Sequence, residues 1–511
     1  MNLESRKFNS IRNIIFGYMN QILTILLSFV GRTVFIKVLG EDYLGINGVF
    51  SDVLMMLSMA DLGLGTAMTY SFYKPVAEQD NKKIASLIHF YKKVYNLIAV
   101  VVAVVGIILI PFLQYVVNLD RGIPYLKLYY LFFLANTVIS YLFVYKTSII
   151  NASQKNYLIS KYQVIVNLAK TIFQIIVLIV FKNYFVYLFV SIVATLANNL
   201  IASYKAEQIY PDIKKNYEEL DAESKKTIFE NIKSVFLYKV AGVLINGTDN
   251  TLISIIVGTV WVGIYSNYNM VITSINNFIY TFFNSITASI GNVIITEKSE
   301  KRYEVFKLMQ TISLIIAGVS AVTMANIIDN LIFVWLGEKF VLDNSILIAI
   351  ICNFYLINVL RPILSYREAT GLYMQTKYIM VIAAIVNLVL SIILGNIMGM
   401  SGILFASAIS RLSTYFWYEP KLLFKNYFEE SVKEYYISIV KNVILVIGLS
   451  VLIFYAGRGF YIDTWGKLIL KAILVGSIAL IIVVSAYSRT NEMKHMLALL
   501  KNLEEKIRRK K

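Results

Sequence analysis

The chain has 511 residues, of which 58% are hydrophobic and 15% charged, with 6 Pro, 25 Gly and a formal net charge of +17. Soluble domains carry about 25% charged residues, so a soluble globule, a disordered tail and a collagen-like fibre are all excluded. The single cysteine, Cys352, excludes a disulfide framework and any CxxC redox or metal site. The two histidines, His89 and His495, are too few and too far apart for a histidine metal centre.

Apolar runs long enough to cross a hydrocarbon core of about 30 Å recur along the chain. Irregular backbone cannot face lipid, so each run reads as a helix. In chain order the predicted spans are 11–38, 46–70, 87–110, 124–146, 161–181, 184–204, 232–257, 264–292, 307–328, 344–366, 378–396, 402–424, 437–456 and 466–487. The first is too long for the apolar region of a signal peptide and has no small-residue cleavage site, so it counts as a span. The eighth is rich in Asn and the eleventh is short. After the last span, Met493, Met496, Leu497, Leu500, Leu503 and Ile507 recur at helical spacing among Lys and Arg, predicting an amphipathic helix at the membrane edge.

Lys and Arg fix the orientation. With the N-terminus inside, 36 of the 48 basic residues fall in inside segments and 7 in outside segments. The others, Arg32, Lys170, Lys239, Arg411 and Lys471, lie within spans. The expected placement is therefore a multi-pass membrane protein with both termini in the cytoplasm. The excess positive charge is explained by anionic headgroups on that side, leaving no dedicated nucleic-acid domain.

The fold class expected is all-α, a polytopic membrane protein of about 14 transmembrane helices in two pseudo-symmetric six-helix bundles plus two C-terminal helices. The bundles cover 1–204 and 232–424, joined by a charged cytoplasmic linker at 205–231. Two additional helices cover 425–487, and 488–511 is a basic amphipathic tail. The halves echo each other. Gly40-Glu-Asp-Tyr43-Leu-Gly45-Ile46 and Gly258-Thr-Val-Trp261-Val-Gly263-Ile264 share the pattern G-x-x-aromatic-x-G-I at an offset of 218 residues. Tyr157 with Lys161-Tyr162 matches Tyr373 with Lys377-Tyr378 at an offset of 216. Six-helix repeats of equal polarity place a pseudo-two-fold axis along the membrane normal, with the substrate path between the halves.

No motif for covalent chemistry stands out. Each G-x-x-x-x-G is followed by Ile, whereas a P-loop needs Lys there. There is no HExxH and no nucleophile–His pair. The informative residues are polar groups within spans, which are costly there unless they face a cavity or a partner. Gln163, Asn167, Lys170 and Gln174 form one stripe on the fifth span, and Asn269, Thr273, Asn276, Tyr280 and Asn284 form another on the eighth. Lys239, Asn246 and Asn250 share a face of the seventh span, with Asp249 beside it; Asn20, Thr24, Ser28 and Arg32 wind along the first. Asn, Gln and Tyr suit sugar hydroxyls. Lys and Arg suit phosphate. Interhelical hydrogen bonding is the better reading for a single Asn, and a cavity lining is the better one for a whole stripe. Asp61 and Asp249 fit a coupling cation or proton and fit a structural salt bridge equally well. Asp52 and Asp329, near span ends, read as structural, and His89 as interfacial.

FIKVLGEDYLGINGVF, ADLGLG in the second span, DNTLISIIVG followed by VGIY, and the 6 + 6 + 2 layout resemble Wzx-type polysaccharide repeat-unit flippases. Their superfamily (multidrug, oligosaccharidyl-lipid and polysaccharide transporters) also holds MATE exporters and the lipid II flippase. The resemblance covers nearly the whole chain. It implies a V-shaped pair of bundles around a basic cavity, and translocation of undecaprenyl-diphosphate-linked oligosaccharide repeat units for capsule or exopolysaccharide by alternating access. It implies no catalytic residues, no metal, and no cofactor beyond a coupling cation, Na+ or H+. Lys170, Arg32, Lys239 and Arg411 would hold the diphosphate. Gln163, Asn167, Gln174, Asn269, Asn276, Tyr280 and Asn284 would hold the sugar. Asp249 and Asp61 match acidic positions of the family in the seventh and second spans. Membrane lipid, the polymerase and the glycosyltransferases are the expected partners, with the chain acting as a monomer. The alternative is a cation-coupled MATE-like exporter, although many of those carry a Pro in the first helix that this chain lacks. A membrane-embedded glycosyltransferase or polymerase would need a larger outside loop than any here.

Overall fold

The structure, a computed structural model, describes residues 3–61, 64–119, 122–153, 155, 157–214 and 219–498. Among these residues all regular structure is helical. The chain divides into two compact units, Met1–Ser266 and Asn267–Lys511.

The first unit contains α1 (Leu3–Leu39), α2 (Glu41–Leu57), α3 (Leu64–Glu78), α4 (Asn81–Ile108), α5 (Leu113–Val116), α6 (Leu126–Tyr141), α7 (Val144–Ala152), α8 (Tyr157–Phe181), α9 (Tyr184–Ile209), α10 (Ala222–Asn246) and α11 (Asp249–Ile256), followed by the start of α12 (Thr259–Thr296). Helix α1 packs along α8, α8 pairs with α9, and α6 packs between α4 and α9. The seventh predicted span joins this unit, with α10 on α3 and α11 on α2. Caps mark the starts of helices: Asp80 accepts from the Lys83 N–H at 2.9 Å, and Asn183 from the Phe185 N–H at 2.8 Å. Each cap satisfies a backbone donor left over at the helix terminus.

The second unit continues with the rest of α12, then α13 (Ser299–Leu336), α14 (Asn344–Val359), α15 (Arg361–Thr370), α16 (Tyr373–Met398), α17 (Met400–Ser413), α18 (Tyr415–Leu423), α19 (Lys433–Ala456) and α20 (Trp465–Tyr487). Its spine is α13, which packs against α14, α19 and α20. Helices α16 and α17 form a hairpin, and α14 lies on α17. Tyr303, Phe306, Tyr366, Phe424, Phe428 and Tyr435 build an aromatic cluster at one end of the unit. Residues 491–498 of the predicted tail helix are helical, and Glu492 pairs with Lys307 at 3.7 Å. Leu500, Leu503 and Ile507 lie outside the described residues.

Eight helices among the described residues are long and apolar enough to cross a membrane, and ten if each bent pair is one span. The fourth predicted span bends by 45° between α6 and α7, and the tenth by 42° between α14 and α15. The other four predicted spans are helical as well. The second, seventh and twelfth are interrupted at Ser58–Asp61, Gly247–Thr248 and Thr414, and the eighth, α12, is long but polar. The protein is a multi-pass membrane protein of all-helical fold.

The internal repeat is visible in the helices. Tyr157 opens α8 and Tyr373 opens α16. The two bends fall in the fourth and tenth spans, at equivalent places in the repeat. Gly40 precedes α2 with φ +89° and Gly258 precedes α12 with φ +133°, a region costly for any side chain. Five residues on, the second glycines of the two motifs meet. A Cβ at Gly45 would lie 2.0 Å from the Thr259 carbonyl oxygen. One at Gly263 would lie 2.3 Å from that of Glu41. The repeated motif therefore packs against its own copy, backbone to backbone.

Candidate substrate site

In the first unit the stripe on α8 changes character along its length. Gln163 is exposed, Asn167 and Lys170 are half-buried, and Gln174 is buried. Gln174 donates to Ser191 Oγ at 2.8 Å and to the Tyr187 carbonyl at 3.2 Å, so its amide ties α8 to α9. That end of the stripe is interhelical packing and has no amide hydrogen left for a sugar. Lys170 is the opposite case. Among the described residues it has neither a hydrogen bond nor an ion pair, although it stands well inside a 24-residue apolar span. Arg32 on α1 donates to Ser266 Oγ at 2.8 Å and lies beside Tyr187. Lys239 on α10 is exposed. The side chains of Asn20 and Asn246 lie outside the described residues.

The acidic residues of this unit gather where α2 meets α11. Asp249 is the first residue of α11 and is half-buried. Asp52, in the middle of α2 and 6% exposed, accepts from the Asn250 N–H at 3.1 Å and from its side-chain amide at 3.0 Å. A carboxylate there satisfies the N-terminal donors of α11 and its dipole. Asp52 is close enough to Asp249 to repel it electrostatically. Asp61 falls in the turn between α2 and α3, and its side chain lies outside the described residues.

In the second unit the stripe on α12 stays open. Asn269, Thr273, Tyr280 and Asn284 are exposed, and only Asn276 is half-buried. Asn358 Nδ2 donates to Asn276 Oδ1 at 2.7 Å, bracing α12 against α14. Arg411 is 5% exposed, buried within the unit, and donates to Asn353 Oδ1 at 2.5 Å, which ties α17 to α14. Asp329 accepts from Tyr268 at 2.7 Å, and Lys471 donates to the neighbouring Asn330 at 2.7 Å.

Sequence reasoning missed three contacts. Asp52 reads as structural, which agrees with its hydrogen bonds, but its partner, the start of α11, was not foreseen. Arg367 and Glu419 form a buried ion pair at 2.6 Å between α15 and α18. Arg361 counted as loop charge, yet it sits at the break between α14 and α15, with its guanidinium 5.2 Å from the centre of the Tyr280 ring. A basic residue followed by Pro362 within an apolar run was the available signal for that break.

The model of the family described as polysaccharide biosynthesis protein matches residues 10–287, which is 278 of 511. No curated protein matches the chain significantly. Among solved structures, the lipid II flippase MurJ in an inward closed conformation aligns with a TM-score of 0.65 at 16% identity, over 93% of this chain and 99% of its own. The MATE multidrug transporter DinF-BH in complex with R6G aligns with a TM-score of 0.60 at 15% identity, over 84% and 98%. An inward-facing multidrug resistance MATE family transporter of the MOP superfamily aligns with a TM-score of 0.57 at 14% identity, over 79% and 97%. At these identities the likeness is one of fold, the fold of MOP superfamily transporters.

Proposed function

Because the chain belongs to the polysaccharide biosynthesis protein family, we propose that it carries undecaprenyl-diphosphate-linked oligosaccharide repeat units across the bacterial cytoplasmic membrane. The observation that carries this reading is Lys170. A lysine at the centre of a span costs about 2.5–3.5 kcal/mol on insertion scales. Here no residue of the described chain offsets that charge, while Gln163 and Asn167 on the same stripe offer the hydrogen-bonding groups a sugar uses. A fixed cation beside polar amides suits a ligand that is anionic at one end and hydroxylated at the other. The prenyl chain remains in lipid throughout, and alternating access presents the headgroup first to the cytoplasm and then outside. Asp249, beside Asp52, is where a cation or proton would couple to that cycle.

The test is transport by the purified protein in proteoliposomes. A fluorescent undecaprenyl-diphosphate oligosaccharide in the inner leaflet should become accessible to an external glycosidase, and Lys170→Glu should slow this at least tenfold at equal incorporation. Transport of a cationic dye without movement of the lipid-linked sugar would give the chain to the drug-exporter class. Asp249→Asn should abolish any dependence of the rate on an imposed Na+ or proton gradient while leaving incorporation intact. Equal losses of incorporation and rate would mark Asp249 as structural.

A further inference from the structure

Arg361 stands outside every role described so far for substrate or coupling. It is the first residue of α15, at the 42° bend that ends α14. Its guanidinium lies over Tyr280, 5.2 Å from the ring centre. Tyr280 is 41% exposed, so the pair is partly open. The Nε atom of Arg361 is buried and has no hydrogen-bond partner among the described residues. Among the described residues Arg361 makes no ion pair; Tyr280 and then Glu368, seven positions on in the same helix, are the groups that act on it electrostatically. One turn before Tyr280, Asn276 is held by Asn358, which fixes this part of α12.

Depth along the span narrows the ligand. Arg361 follows the sixteen residues of α14, which rise about 24 Å at 1.5 Å per residue. In a core of about 30 Å, and with the orientation that the basic residues imply, this brings the guanidinium close to the cytoplasmic headgroup layer. The anions at that level are phosphates, from either a prenyl diphosphate or a bulk phospholipid. Arginine's planar fork matches non-bridging phosphate oxygens in pairs, and stacking on an aromatic ring fixes its plane in advance.

We propose that Arg361 and Tyr280 form a second-unit anion site for the diphosphate of the lipid-linked substrate, with Arg361 gripping the diphosphate oxygens and Tyr280 holding the guanidinium plane. The site rests on the reading that the substrate is prenyl-diphosphate-linked, and it adds a residue that reading did not contain.

The experiment measures binding of undecaprenyl diphosphate and undecaprenyl monophosphate to the full chain in phosphatidylcholine nanodiscs, by native mass spectrometry, with phosphatidylglycerol added in a separate arm. The wild type should prefer diphosphate to monophosphate at least tenfold. Arg361→Gln should bind diphosphate at least tenfold more weakly and lose that preference, and Arg361→Lys should restore binding to within about threefold. A role only in packing would weaken both lipids alike and leave the preference unchanged, which overturns the proposal. Unchanged diphosphate binding with lost phosphatidylglycerol binding assigns the residue to bulk lipid and also overturns it. If Arg361→Gln does not fold, Tyr280→Ala decides: a narrowed preference supports the site and an unchanged one removes it. A wild type that binds no diphosphate lipid defeats the substrate reading itself, whereas wild-type binding that Arg361→Gln leaves intact defeats only this site.

Discussion

Along α8 the polar residues pass from exposed Gln163 through half-buried Asn167 and Lys170 to buried Gln174, whereas along α12 Asn269, Thr273, Tyr280 and Asn284 all remain exposed. Both stripes follow the same helical spacing. They differ in what each helix meets. Helix α8 lies against α9, where Ser191 and the Tyr187 carbonyl accept the amide of Gln174. Helix α12 meets polar partners at Asn276 and Tyr280 and keeps Asn269, Thr273 and Asn284 exposed. The glycine motifs show the reverse: two copies in different repeats perform the same task, because each copy's second glycine packs against the backbone of the other copy. Backbone geometry is thus shared between the repeats, and the polar chemistry laid on it is not.

The strongest way to break the shared part is a single methyl group. Gly45→Ala places a Cβ 2.0 Å from the Thr259 carbonyl oxygen, and Gly263→Ala one 2.3 Å from that of Glu41. Backbone atoms cannot rotate aside as a side chain does, so the helices must separate. Overpacking of this kind costs about 1–3 kcal/mol, and both variants should give several-fold less monodisperse protein on size exclusion. A wild-type yield and melting temperature for Gly45→Ala would show that the motifs need not touch.

How much of this was legible in the sequence depends on the residue. The apolar runs located the long helices, because length and hydropathy respond to the bilayer, but not the short α5 (Leu113–Val116) between the third and fourth runs. The glycine repeat was visible as a pattern, but mutual contact is a tertiary fact that no spacing encodes. Spacing also placed Gln174 and Lys170 on one face, and it could not show that Ser191 would consume one and that nothing described would pair with the other. Arg411 is a similar case: its hydrogen bond to Asn353, 58 positions away, is a tertiary contact that spacing does not encode. The breaks at Gly247–Thr248 and Ser58–Asp61 were hidden inside runs whose average hydropathy still passed for one helix.

Arg411 offers the next largest effect. Arg411→Met removes the donor to Asn353 Oδ1 inside the second unit. Asn353 is half-buried, so leaving its acceptor unsatisfied should cost at the low end of the range for a buried group, about 1 kcal/mol. Thermal stability should fall accordingly, with the transport rate per folded molecule held within twofold. A stable protein that no longer moves its substrate would return Arg411 to the substrate path.

The contrast between stripes is sharpened by a matched pair. Gln174→Leu deletes the ties to Ser191 and Tyr187, worth about 0.6–1.7 kcal/mol for hydrogen bonds between spans, and it should lower the melting temperature while leaving transport per molecule near normal. Asn284→Leu removes an exposed amide, so stability should stay within about 0.5 kcal/mol and transport should fall several-fold. If the two variants behave alike, exposure does not separate packing from substrate contact and the distinction between α8 and α12 fails.

The smallest effect lies outside the membrane, where the second repeat's first helix begins. Asp221 caps α10 by accepting from the Ser224 N–H at 2.9 Å, and Lys83 of α4 donates to it at 3.0 Å. Hydrogen bonds from Ser224, and then from Lys83, hold its carboxyl well below the usual carboxylate range. A lowered folded pKa stabilises only the ionised form. Its contribution is therefore complete above the ordinary aspartate pKa near 3.9 and is lost as pH falls below it. Between pH 6 and 8 the melting temperature should not change on its account, in the wild type or in Asp221→Asn. Below about pH 4 the wild type should lose a little more stability than the variant, because only the wild type has this carboxylate to protonate. The group is exposed, so raising the salt concentration should shrink the Lys83 part of the difference and leave the cap. A difference between wild type and variant that changed between pH 6 and 8 would show that another titrating group, His89 on α4 being the nearest by sequence, controls how the linker sits on this unit.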